Sequence, residues 1–276
     1  MQNNKLFLIN PRTETAMDML VANPPHALMI QGRQGSGKVK LARMLLRRIN
    51  PQMDIQVFEA LEGKSLGIDL IREIRNYMQI KTSSSLPFRA AIITPADSMT
   101  EEAQNALLKV LEEPALGSMI LLLARNPASL LPTIISRVNA LNALPVELEA
   151  ATDHYSEYDS ETVQKYYRVS GGAPELLQTL LMNLEDPMLD AITEAKIFLT
   201  STRFERVKQV EEHKAKADTL LFNLLNLVKA TLQNPDLPEI NRIRFINLFK
   251  LLSESEKRLN ANVNKKAILL EVALAI

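Results

Sequence analysis

The sequence of 276 residues predicts an α/β fold with a parallel sheet in its first half and an all-α second half. Three observations carry that expectation. Short apolar runs alternate with segments of helical periodicity up to residue 144. A glycine-rich segment, Gln31-Gly32-Arg33-Gln34-Gly35-Ser36-Gly37-Lys38-Val39-Lys40, follows the first of those runs and opens a helix. From residue 185 onward the apolar residues recur almost only at helical spacing.

Composition narrows the function classes. At 46% hydrophobic residues the chain can fill a substantial core, which excludes a disordered polypeptide. Lysine plus arginine and aspartate plus glutamate both number 32, so no overall charge draws the chain to nucleic acid or to an anionic membrane, and any DNA contact must be local or shared. The absence of cysteine excludes disulfides, thiolate nucleophiles and cysteine-ligated zinc, and suits a reducing compartment. His26, His154 and His213 are too scattered for a metal cluster, so no metal site is expected. The longest apolar run, 119–124, is too short to span a membrane, and the first residues lack the pattern of a signal peptide. A cytoplasmic protein without membrane contact is the expectation.

Taken in order, residues 1–26 are punctuated by Pro11, Pro24 and Pro25 and hold a short amphipathic segment over 13–21, a lead-in helix. Ala27-Leu28-Met29-Ile30 reads as a buried strand. Leu41, Met44, Leu45 and Ile49 then recur at helical spacing over 38–49, and Arg43, Arg47 and Arg48 share the rest of that helix, as a solvated face or as a phosphate-backbone patch. Ile55-Gln56-Val57-Phe58 is a second strand candidate, followed by a helix that places Ile71, Ile74 and Met78 on one face. Residues 82–87 read as a serine-rich turn. The continuous run Arg89-Ala90-Ala91-Ile92-Ile93-Thr94 is what a central parallel strand covered on both faces requires. Thr100 opens the next helix with a variant capping box, Ala103, Leu107, Leu108 and Leu111 form its apolar face, and Pro114 stops it. Met119-Ile120-Leu121-Leu122-Leu123 is a fourth strand, and the segment 130–138 leads into a fifth near Leu141.

The second half divides into helical patterns over 161–169 and 174–184 joined by Gly171-Gly172, then longer stripes. Leu221, Leu224, Leu225 and Val228 recur at i, i+3, i+4, i+7, as do Phe245, Leu248, Phe249 and Leu252, which implies a helical bundle. Tyr155, Tyr158, Tyr166 and Tyr167 are read as packing residues, since no basic stripe interleaves them to make a base-stacking platform.

The chemistry is concentrated in the glycine-rich segment. The spacing Gly32-x-x-x-x-Gly37-Lys38, with Gly35 between, lets bare backbone amides wrap a phosphate while Lys38 reaches its outer oxygens and the helix N-terminus adds positive potential. Position 39 is valine, where a nucleotide-hydrolysing loop needs a hydroxyl to ligate magnesium. The third strand should end in acidic residues that organise the metal and the attacking water, and it ends instead in Thr94-Pro95. Asp97 lies beyond, in the turn, as a cap or hydrogen-bonding residue. Two separate losses on one function argue against independent catalysis.

Several motifs in order then resemble the AAA+ clamp-loader family of the bacterial replicative polymerase. They are Ile68-Asp69 with Ile71-Arg72-Glu73-Ile74, Ala96-Asp97-Ser98-Met99-Thr100, the run from Asn105 through Leu107, Leu108 and Lys109 to Glu112-Glu113-Pro114, and Leu130-Leu131-Pro132-Thr133-Ile134-Ile135-Ser136-Arg137. The last is similar to the family's Ser-Arg-Cys signature, with Val138 in place of the cysteine. The resemblance implies an AAA+ P-loop domain over 1–144, a small helical lid over 145–184 and a helical collar over 185–276 that holds subunits in a ring. It also implies that Arg137 projects into a neighbouring subunit's ATP site as an arginine finger, where the bland alternative is a surface ion pair or a helix C-terminal contact. The family's four-cysteine zinc module is missing, Asn126 is the nearest candidate for its phosphate-sensing polar residue, and Pro174 and Glu175 stand where a lid arginine is usual.

The resulting expectation is a subunit with no ATP hydrolysis of its own, needing no cofactor but able to bind ATP, ADP or phosphate weakly through Gly32, Gly35, Gly37 and Lys38. Its expected partners are homologous subunits of gamma/tau and delta type, a sliding clamp and primer-template DNA, with Arg72 and Arg75 as candidates to face the DNA. The alternative is an active ATPase, either the motor subunit of the same assembly or a related remodelling enzyme.

Overall fold

A computed structural model describes residues 7–60, 65–79, 89–182, 187–234, 237–260 and 264–276. The expected turn at 82–87, the lid boundary near 184 and residues 261–263 ahead of the last helix lie outside the described residues. The chain divides into two compact units, Met1–Pro145 and Val146–Ile276.

The first unit alternates helix and strand: α1 Pro11–Ala22, β1 Ala27–Gln31, α2 Lys38–Ile49, β2 Asp54–Glu59, α3 Ile68–Gln79, β3 Arg89–Thr94, α4 Glu101–Glu112, β4 Ser118–Ala124, α5 Pro132–Ile135 and β5 Asn139–Asn142. The five strands form one sheet in the order β2-β3-β4-β1-β5, and every pairing is parallel. The central strands are apolar throughout because both faces are covered. Alternate side chains serve different cores. Leu28 and Ile30 of β1, Ile92 of β3 and Leu121 and Leu123 of β4 pack with Met17 of α1 and Leu41, Leu45 and Leu46 of α2. Met29, Ile93 and Leu122 face the other way, onto Ile71 and Ile74 of α3, Leu107 and Leu111 of α4 and Ile134 of α5. Two helical layers thus clamp a parallel sheet, and the C-terminal ends of β1, β3 and β4 deliver their loops to one edge, where ligands of such sheets bind.

Local signals end the elements where chemistry requires. Asn10 caps α1 by accepting from the Arg12 amide, and Thr100 caps α4 by accepting from the Ala103 amide. Arg47 donates to the carbonyls of Pro51 and Met53, and Arg48 pairs with Glu14 at 2.6 Å, so two of the α2 arginines serve packing within the unit.

The second unit is helical: α6 Leu148–His154, α7 Ser160–Ser170, α8 Pro174–Met182, α9 Pro187–Thr200, α10 Arg203–His213, α11 Ala217–Leu232, α12 Glu239–Asn260 and α13 Lys265–Ala275. Asp159 caps α7, and Thr202 with Glu205 forms a reciprocal capping box on α10. The main core joins α9 through α13 around Phe198, Leu221, Leu224, Leu252, Ile268 and Val272. A smaller cluster of Ala173, Leu176 and Ile192, with Val169 and Leu227 against it, links α7 and α8 to α9 and α11. Helices from the stretches read as lid and as collar therefore share buried surface within this unit. Tyr155 is fully buried edge-to-face against His154 and Tyr158, and the Tyr167 hydroxyl donates to the Val146 carbonyl.

Candidate functional site

The glycine-rich loop lies between β1 and α2, as its sequence demands. Gly32 continues the sheet edge by donating to the Ala124 carbonyl. A side chain there has no room, since its Cβ would lie 2.8 Å from Ser36 Oγ and 2.9 Å from Ala143 Cβ. Gly37 closes the loop in the left-handed region at φ 77° and stands as the N-cap of α2 without a side-chain hydrogen bond, which leaves the helix N-terminus unscreened by any cap. Phe7 covers it: a Cβ on Gly37 would fall 2.3 Å from the ring's Cζ. The Lys38 ammonium turns back into its own loop, donating to the carbonyls of Gly32 at 2.8 Å and Arg33 at 3.0 Å. Ser36 is 2% exposed, and its hydroxyl has no hydrogen-bond partner among the described residues. Gly32, Gly35, Gly37 and Lys38 are thus brought into one loop, and the buried Ser36 hydroxyl joins them.

The positions that should hold magnesium contain other groups. Val39 packs against the α1/α2 core. Beyond β3 the cis peptide Thr94-Pro95 leads into a single 3-10 turn, Ala96–Ser98. Asp97 accepts from the Arg125 amide at 3.3 Å, tying the end of β4 to this turn, so its carboxylate acts as a hydrogen-bonding residue. Asn126 is used as the cap of the 3-10 turn Pro127–Ser129, accepting from the Ala128 amide. Among the described residues no group of three or more histidines and carboxylates is placed to hold a metal ion.

Arg137 is on a different element, just past α5. Its guanidinium donates to the Thr133 carbonyl at 3.0 Å and pairs with Glu112, the last residue of α4, at 2.8 Å. Both side chains stay partly in water, at 39% and 50% exposed. Its partners lie on α4 and α5 themselves and not in the phosphate loop. Arg72 is paired on the surface with Asp69 at 2.7 Å.

Two residues outside the sequence-derived site hold this arginine's support in place. Gln104 of α4 is 5% exposed and fully engaged: it accepts from the Leu131 amide at 2.7 Å and donates to the carbonyls of Met99 and Ser129 at 3.2 Å. It thereby pins the approach to α5 onto α4. The signal was present in the sequence, because position 104 shares a helical face with Leu107, Leu108 and Leu111, and a polar side chain on an apolar face must find buried partners. Glu112 is the other, and nothing local marks it.

Residues 50–147 match the family described as DNA polymerase III, delta subunit. The chain is 32% identical over 149 residues to the DNA polymerase III subunit delta' of Pseudomonas aeruginosa, and 31% identical over 159 residues to that of Haemophilus influenzae. These matches cover 52% and 58% of this chain and 44% and 45% of the relatives, so the chain spans about half the length of the curated relatives it matches. In three dimensions it resembles a gamma subunit-related protein of DNA polymerase III from Thermotoga maritima, with a TM-score of 0.54 at 20% identity, covering 95% of this chain and 97% of that one. At that identity the likeness shows a shared fold alone. Over about half of its length the chain is thus similar to DNA polymerase III delta' subunits.

Proposed function

We propose that this chain is a non-hydrolysing subunit of a clamp loader, which completes a ring of homologous ATPases, lends Arg137 to a neighbour's ATP and helps place a sliding clamp on primer-template DNA. The observation that carries the reading is a contrast between two cations. Lys38 is turned into its own loop, whose magnesium-ligating position is Val39, whereas Arg137 is held at the surface by α4 and α5. A loop lysine without a metal hydroxyl beside it can bind phosphate but lacks the ion that neutralises the transferring group. A surface arginine can reach a neighbour's phosphoryl group, a contact worth about a thousandfold or more in rate.

The loop keeps a residual role in this reading. The uncapped α2 N-terminus and the buried, unpartnered Ser36 hydroxyl suit a weakly bound phosphate, ADP or ATP through Gly32, Gly35, Gly37 and Lys38, with no cofactor required. Partners are subunits of gamma/tau and delta type, with the helices of 185–276 as the collar that joins them. Among the described residues no helix is long and apolar enough to cross a membrane, and the reading places the protein in the cytoplasm with the replication machinery.

The test is DNA- and clamp-stimulated ATP hydrolysis by the reconstituted loader. Arg137→Ala is expected to cut the rate by about a thousandfold or more at the neighbouring site, on the order of an arginine finger's contribution, while Lys38→Ala leaves the rate near that of the unmodified assembly. The reverse pattern identifies this chain as an active ATPase and overturns the proposal.

A further inference from the structure

The Glu112-Glu113-Pro114 motif has so far explained only how α4 stops. Its first carboxylate does more. Glu112 Oε1 takes the Nη2 edge of Arg137 at 2.8 Å, while Nη1 is occupied by the Thr133 carbonyl at 3.0 Å. Glu112 is also the last residue of α4, so the guanidinium sits where the carbonyl end of a helix adds negative potential to that of the carboxylate. The arginine is therefore folded back against its own unit, with its charge offset, at two fixed donor positions.

We propose that Glu112 is a latch for Arg137: it holds the arginine against α4 in the unassembled chain and yields it to the phosphate-bearing site of an adjoining subunit. The inference rests on the finger reading of Arg137. The strength of the pair suits a latch that opens. Both partners are in contact with water, and such pairs contribute little, between nothing and about 1 kcal/mol. A nucleotide triphosphate carries several charges and accepts hydrogen bonds from the same guanidinium edge, so it outcompetes a single half-hydrated carboxylate. A neighbour with an empty or diphosphate-bearing site offers less, and the arginine stays paired. Glu112 thus makes engagement of the finger depend on the neighbour's nucleotide, at the expense of part of the binding energy. Gln104 supports the exchange by keeping α5 itself fixed, so that only the side chain must move.

The experiment is a titration of this chain onto the gamma-type ATPase subunit of the same organism, loaded either with magnesium and a non-hydrolysable ATP analogue or with ADP. Glu112→Gln removes the charge and keeps the shape. It is expected to tighten binding to the analogue-loaded partner by a few-fold, up to about fivefold, the ceiling set by a surface ion pair, with little change for the ADP-loaded partner. In an Arg137→Ala background the same substitution is expected to change neither affinity. Tightening that persists without Arg137, or that is equal in both nucleotide states, shows Glu112 to act on the interface generally and overturns the latch. Weakened or unaltered binding of Glu112→Gln overturns it as well. If Arg137→Ala alone leaves analogue-dependent binding and neighbour hydrolysis intact, it is the finger reading that has failed, and the latch falls with it.

Discussion

Replacing Gln104 by methionine keeps the length of the side chain and removes every polar contact that ties α4 to the approach of α5. Three hydrogen bonds are lost, one accepted from the Leu131 amide and two donated to the carbonyls of Met99 and Ser129. At about 0.5–1.5 kcal/mol net per bond the loss is about 1.5–4.5 kcal/mol, and the orphaned Leu131 amide is its costliest part. Burial of the more apolar methionine returns about 1 kcal/mol, which leaves a destabilisation of about 0.5–3.5 kcal/mol. The effect should be local before it is global, because the Ser129 carbonyl and the Leu131 amide lie in a short segment outside the sheet. Native-state hydrogen exchange resolves this: at about 1.36 kcal/mol per tenfold, protection of Leu131 should fall by about 2- to 400-fold, while amides of β1 and β4 change by no more than the drop in global stability. In the reconstituted loader the variant should also lower neighbour hydrolysis by more than its unfolded fraction, since Arg137 follows the loosened segment. Unaltered exchange at Leu131 would refute the bridge, and a loss of protection spread evenly over the first unit would refute its local character.

Two further outcomes follow from the same structure. Gly37→Ala meets a left-handed backbone, about 1–2 kcal/mol for a residue with a Cβ, and a ring 2.3 Å away that must be displaced. Denaturation curves should therefore show a cost of about 2–4 kcal/mol for Gly37→Ala that shrinks to the backbone part, about 1–2 kcal/mol, when Phe7→Ala is the background; an equal cost in both backgrounds means that Phe7 does not press on the loop. In the helical unit, burial first and then the negative charge of Glu157 push the Tyr155 hydroxyl from its usual 10.0 up to about 12. Because the folded value lies above the unfolded one, stability is unaffected below pH 10, falls as pH rises from 10 to 12, and loses at most about 3 kcal/mol over that window; Tyr155→Phe should flatten that part of the stability profile, and an unchanged slope would rule the assignment out.

Some of this architecture could be read from short stretches alone. β1, the loop and α2 occupy consecutive residues, and the alternation of buried runs such as Ile92-Ile93 with stripes such as Ile71, Ile74 and Met78 reports local backbone geometry directly. The start and the end of α4 were equally local, written in Thr100 and Pro114. Gln104 was legible as an anomaly, a polar residue on an apolar face, although its partners were not. The α2 arginines show the limit: Arg48 looks the same in sequence whether it meets solvent, a nucleic acid backbone or, as here, Glu14 and Asp18 of α1.

The sequence by itself determined the class of the fold, the place and defect of the phosphate loop, and the position of Arg137, because each depends on residues within a turn or two of one another. Only the tertiary structure decided the strand order β2-β3-β4-β1-β5, the ring of Phe7 on Gly37, and the pairing of Arg137 with Glu112. Those contacts join residues far apart in the chain. Periodicity fixes which face of an element is apolar, but the partner of a charged or aromatic side chain is chosen by how whole layers pack, and that choice has no local signature.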